Sequence, residues 1–233
     1  SGDRLLQGLI TAIIGLMVGF VGYYDVTSTV RFDYGIPLLE DGIKLVPALI
    51  GLFAMSEMIN LAVKGGAIAQ EMAINYPGRV RSMLITASFG KLDRYGYQIL
   101  YNFNEVVKAQ GYPAAAKHQS LFFFPPLYFN ENQELLDAFE AGLGNADRPI
   151  HGYSNSTNAC LTHDALDRLG QVKCPTYVLA GGEDVLCSVG AARQIAERVP
   201  GSRIKIYEDA SHFFLIQCFE ESMTDIKYFL DAN

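Results

Sequence analysis

The sequence predicts an α/β protein, a parallel sheet with a helical cap, preceded by an apolar, mainly helical, membrane-like segment. Three observations predict it. From about residue 63 onward, short apolar runs alternate with amphipathic ones, the pattern of strands and crossover helices. A helix-rich stretch at about 89–167 interrupts that alternation and is too long for a plain crossover, so it reads as an inserted cap. Residues 1–62 are strongly apolar and carry few charges, unlike the mixed composition that follows.

Composition narrows the function. The chain has 233 residues and a formal net charge of -7. No Lys/Arg cluster is present, which argues against a nucleic-acid partner, since phosphate binding needs clustered cations. Cys160, Cys174, Cys187 and Cys218 are scattered without CxxC spacing. They read as reduced thiols, which suits a cytoplasmic location for the second part of the chain.

The first part opens with LLQGLITAIIGLMVGFVGYY, residues 5–24, without a charge. Twenty helical residues span ~30 Å, the thickness of a bilayer's hydrocarbon. Gly15 and Gly19 form a small-xxx-small pair, and Tyr23-Tyr24 resembles an interfacial anchor. Membrane association through residues 5–24 is the expectation, with a buried soluble helix as the alternative. Leu45–Ser56 is uncharged, contains Pro47 and Gly51, and is too short to span; it reads as a broken membrane helix or a buried one. GYYD, RFDYG, LLEDGI and LVPALIGLFAMSE together resemble part of the large membrane subunit of the tripartite tricarboxylate transporters, over about residues 1–62. A complete member of that family transports small carboxylates with a periplasmic binding protein. So short a piece is not expected to form a translocation path.

In the second part, GGAIAQEMAINYP predicts a helix that stops before Pro77. Met83–Ala87 predicts a buried parallel strand, Thr176–Gly182 a second, and Arg203–Glu208 a third. Ala191, Ile195 and Val199 line one face of a helix between the last two strands, and a final helix is expected at about Glu220–Leu230. Turn signals divide the cap at Gly111-Tyr112-Pro113, Pro125-Pro126 and Gly142–Pro149.

Asp184 follows the second strand directly, and His212 follows the third. Open α/β sheets place their sites at such carboxyl ends. A carboxylate that orients an imidazole is the acid–base half of a Ser-His-Asp triad, and acid before histidine is the chain order expected. Either residue alone would read as a turn former or a solvated histidine.

GGAIAQEMAINYPGRVRSMLI resembles the stretch after the nucleophile elbow in α/β-hydrolases of the esterase and enol-lactonase type. The segments HGYSNSTNAC, THDALDRLGQVKCPTYVLAGGEDVLCS and AARQIAERVPGSRIKIYEDASHFFLIQ resemble that family's cap exit, acid strand and histidine loop. The resemblance covers about residues 63–233. It implies a partial α/β-hydrolase fold, Asp184 as triad acid, His212 as triad base, and a small apolar ester or lactone as substrate. No cofactor and no metal site are expected.

The nucleophile departs from the family pattern. The elbow should read G-x-S-x-G. With Gly65 as its last glycine, the nucleophile position falls on Val63 and the first glycine on Leu61. Valine has no nucleophilic atom, and its branched side chain suits a left-handed elbow poorly. Ser56 lies nearest upstream without flanking glycines, and no HG-type oxyanion loop precedes Gly65. The sequence thus reads as an ester or lactone hydrolase lineage, truncated or joined to a permease fragment near residues 60–66, and impaired. The alternatives are a fragment of a transporter subunit and a hydrolase-fold binding protein without catalysis. Phe122, Phe123, Phe124, Tyr128 and Phe129 would either pack the cap onto the sheet or wall an apolar substrate.

Overall fold

The computed structural model describes residues 22–24, 29–31, 65–144 and 149–233. The chain divides into two units, Ser1–Met58 and Ile59–Asn233. In the first, β1 (Gly22–Tyr24) pairs antiparallel with β2 (Thr29–Arg31), Tyr23 opposite Val30. The helix expected over residues 5–24 therefore does not include its last three residues, which are strand; residues 5–21 lie outside the described residues. The expected interrupted helix at Leu45–Ser56 also lies outside the described residues. Among the described residues, no helix is long and apolar enough to cross a membrane.

The second unit is built on a three-stranded parallel sheet of order β3-β4-β5. β3 is Met83–Thr86, β4 is Thr176–Gly181 and β5 is Arg203–Tyr207. Met83 pairs with Thr176 and Tyr177 with Arg203. All six residues of β4 are buried, as a central strand covered on both faces requires. Helix α1 (65–75) precedes β3 and ends before Pro77, whose ring resists helix continuation.

Between β3 and β4 lies the cap: α2 (Arg94–Phe123), α3 (Pro126–Glu131), α4 (Gln133–Gly144) and α5 (Ile150–Thr162). Asp93 caps α2 by accepting from the Gly96 amide. α2 is kinked at Gly111, whose φ of 79° is open to glycine, and Pro113 follows. α6 (Val189–Arg198) crosses from β4 to β5, with Ser188 as its N-cap. It buries Ala192 and Ile195 in the cluster with the sheet and Ala191 in the cluster beneath the cap. α7 (Phe214–Gln217) and α8 (Phe219–Asp231) complete the unit.

Three apolar clusters hold these layers. An aliphatic one joins α1, the sheet and α6 through Ile74, Ile85, Val178, Ile195 and Val199. A second joins Leu179, Tyr207, Phe214 and Phe229 on the side of α8. The third, beneath the cap, is aromatic: Phe89, Phe103, Phe123, Phe124, Phe139 and Phe213. The ring contacts among them are mostly edge-to-face, with centroids 4.9–6.3 Å apart for Phe123 against Phe213, Phe103 and Phe139.

Candidate active site

At the carboxyl edge of the sheet, β4 ends and its chain turns sharply beneath the loop that follows β5. A Cβ at Gly181 would collide with the carbonyl oxygens of Ala210 and Ser211, so glycine permits the approach of the two loops. The Gly182 amide donates to Tyr207 O and the Glu183 amide to Ala210 O, at 2.8 and 2.9 Å. These bonds bring the residue after Glu183 next to the residue after Ser211.

Asp184 and His212 meet there. His212 Nδ1 lies 2.8 Å from Asp184 Oδ2, and neither side chain has any solvent exposure. The other carboxylate oxygen, Oδ1, accepts the amides of Leu186 and Cys187, both at 2.8 Å. A carboxylate oxygen can only accept, so the ring presents its Nδ1–H and, when neutral, keeps a lone pair on Nε2. Nε2 is buried without a hydrogen-bond partner among the described residues. The imidazole is stacked on Phe123 of the cap, 5.2 Å between centroids at 23°, and meets Phe213 edge-on. The Phe213 amide donates to Phe123 O at 3.3 Å, tying cap to histidine loop. Phe123 and Phe124 are in the core, while Phe122, Tyr128 and Phe129 pack against it half-buried, so the cap aromatics serve packing and Phe123 also covers the histidine.

The described residues that border the expected elbow are Gly65 and Gly66, at the start of α1. Val63, Leu61 and Ser56 lie outside the described residues. A Cβ at Gly66 would collide with Ser88, just past β3. Ser88 Oγ is buried without a hydrogen-bond partner among the described residues, and the preceding Ala87 has a φ of 44°, a left-handed conformation that strains a non-glycine residue.

Cys187 is the residue that sequence reasoning passed over. It is buried, and a donor atom on each of Asp184, Cys187 and His212 lies within 4.8 Å of the others. Burial pushes the Cys187 thiol well above its ordinary pKa, and the Asp184 charge adds to this. The signal available in the sequence was the Asp184-x-x-Cys187 spacing, which reads equally as turn chemistry.

A second polar cluster sits along α1. Arg168 holds Glu71 with both guanidinium arms, at 2.8 and 2.5 Å. His163 Nδ1 is 3.7 Å from the same carboxylate, and its Nε2 is 3.5 Å from Gln70 Oε1. The hydrogen bond from Arg168 lowers the Glu71 pKa, against a smaller rise from burial. Burial lowers that of His163. A groove of about 450 Å³ between α1 and α5 opens beside this cluster, lined by Ile68, Met72, Tyr76 and Ala159 among others. It does not reach the Asp184–His212 pair.

Comparison with known proteins accords with this geometry. The family model of the tripartite tricarboxylate transporter TctA family matches residues 1–100, so it overlaps the sheet-forming part beyond the join read near residues 60–66. The chain is 28% identical over 150 residues to RutD of Azorhizobium caulinodans, described as a carbamate hydrolase, covering 64% of this chain and 57% of that protein. It is 24% identical over 148 residues to 3-oxoadipate enol-lactonase 2 of Acinetobacter baylyi, covering 64% and 54%. The chain thus spans little more than half the length of either relative. Among solved structures, the enol-lactonase of Burkholderia xenovorans matches with a TM-score of 0.66 at 18% identity, covering 72% of this chain and 63% of that one. A hydrolase from Pseudomonas aeruginosa matches at 0.64 and 22%, covering 71% and 61%. The alpha/beta hydrolase fold model matches residues 65–217, about two thirds of the sequence, and the chain belongs to that family.

Proposed function

We propose that this chain carries the acid–base half of an ester- or lactone-hydrolysing site and is catalytically impaired because its elbow position holds Val63. The observation behind this reading is the 2.8 Å contact between His212 Nδ1 and Asp184 Oδ2, closed to solvent at the carboxyl ends of β4 and β5. In an intact site, Nε2 takes the proton of a serine as that oxygen attacks the acyl carbon, then returns it to the leaving group. Here Nε2 has no such neighbour among the described residues. The substrate class in this reading is a small apolar ester, lactone or carbamate, and residues 5–24 supply any membrane association. The junction of permease-like and hydrolase-like sequence makes a chimeric origin part of the same proposal.

The test is turnover of short p-nitrophenyl esters by the purified chain beside His212→Ala. No rate above the variant is expected, because water activated by the pair alone gains on the order of 10²-fold at best. A fluorophosphonate probe is run in parallel. Turnover lost in His212→Ala, with label at Ser56 or Ser88, would identify a working nucleophile and overturn the impairment.

A further inference from the structure

We propose that Asp184, Cys187 and His212 form a binding site for a divalent transition-metal ion of the zinc class. This goes beyond the hydrolase reading, which leaves Cys187 idle. A carboxylate oxygen, a thiol sulfur and a ring nitrogen lie mutually within 4.8 Å, and all three residues are buried. These are the donors zinc takes, at ~2.0–2.2 Å for oxygen and nitrogen and ~2.3 Å for sulfur. Three protein donors with a fourth position left over is the arrangement of an open zinc site.

Charge favours the ion. A dication with one carboxylate and one thiolate is neutral overall, which is the condition for burying it without a large desolvation cost. The proton balance is simple: the Cys187 S–H proton leaves as the sulfur–metal bond forms, and the neutral imidazole keeps its single N–H on whichever nitrogen does not bind. One proton is released per ion. Asp184 is already oriented by the Leu186 and Cys187 amides on Oδ1, and its Oδ2 would exchange the contact with His212 Nδ1 for the ion. In a tetrahedral site donors at these bond lengths stand roughly 3.3–3.6 Å apart, so the ion parts the Asp184 Oδ2–His212 Nδ1 pair by about half an ångström and draws the sulfur to the same range. A bound ion removes Asp184 and His212 from acid–base work, so binding and hydrolysis exclude each other.

The experiment titrates the metal-free chain with Co²⁺, followed by Zn²⁺. One equivalent of Co²⁺ should give a thiolate-to-cobalt charge-transfer absorption that Zn²⁺ abolishes. Cys187→Ala should lose the band and bind at least ~10-fold more weakly. The variant Cys160→Ala/Cys174→Ala/Cys218→Ala, which keeps Cys187 as its sole cysteine, should retain the band. X-ray absorption of the Zn²⁺-loaded wild-type chain should find one sulfur at ~2.3 Å, a readout that needs no variant to fold. A band that survives Cys187→Ala, or a zinc shell without sulfur, overturns the site. Neither result bears on the esterase assay, which is run without metal.

Discussion

Asp184–His212 and Glu71–His163 are both carboxylate–imidazole neighbours, yet they are built to different ends. In the first, both side chains are closed to solvent and 2.8 Å apart, and the carboxylate's other oxygen is occupied by backbone amides. In the second, Arg168 takes both carboxylate oxygens, and the imidazole stands 3.7 Å away. Each ring also has an aromatic neighbour, Phe123 stacked on His212 and Phe89 edge-on to His163 at 6.2 Å. The difference lies in what else the carboxylate binds. Backbone amides orient it without competing for the imidazole, whereas a guanidinium satisfies it and leaves the ring to Gln70.

This contrast can be broken from the first pair outward. Phe123→Ala removes a buried ring from the aromatic core and the cover of His212, and should cost about 3–5 kcal/mol in denaturant unfolding. Asp184→Ala strands the amides of Leu186 and Cys187 together with His212 Nδ1, and should cost about 3 kcal/mol. A midpoint shift indistinguishable from that of an exposed substitution would show that the loops hold their shape without the carboxylate.

Much of this was legible in the sequence. The three strands, the cap and the positions of Asp184 and His212 could be read because apolar runs and chain order survive without tertiary knowledge. The pairing of Gly22–Tyr24 was not, because an uncharged glycine-aromatic run satisfies the length criterion for a membrane helix equally well. Cys187 was missed because its closeness to His212 depends on two loops crossing at Gly181, a contact that no local spacing reports. The bond between Arg168 and Glu71, far apart in sequence, was equally hidden.

The second pair offers finer tests. Arg168→Met frees Glu71 beside His163. The pair is more than a third exposed on each side, so the stability cost should stay below ~1 kcal/mol. The His163 pKa should rise, since Arg168 lowers it and Glu71 raises it; NMR titration reads the shift. The smallest effect is on pH dependence. Burial holds the His163 pKa below its ordinary 6.5. The unfolded chain therefore binds the proton first, and stability should decline as pH falls below about 6.5. Glu71, lowered mainly by the Arg168 hydrogen bond, adds stability above its ordinary 4.5 that is lost as pH falls through the folded value. His163→Asn should flatten the decline that begins below about pH 6.5 while leaving the lower one. An unchanged profile would assign the upper slope to another group.

The strand order has a consequence for how fast the molecule assembles. β4 and β5 are joined through a single helix, and their first paired residues, Tyr177 and Arg203, are close in the chain. Met83 must instead find Thr176 across the whole cap, a closure of about 90 residues. The local β4-α6-β5 unit should therefore form early, carrying the Asp184 and His212 loops with it, while β3 docks last, after the rate-limiting transition state. A refolding chevron would register this as mutations along β3 that speed unfolding but scarcely alter the folding rate.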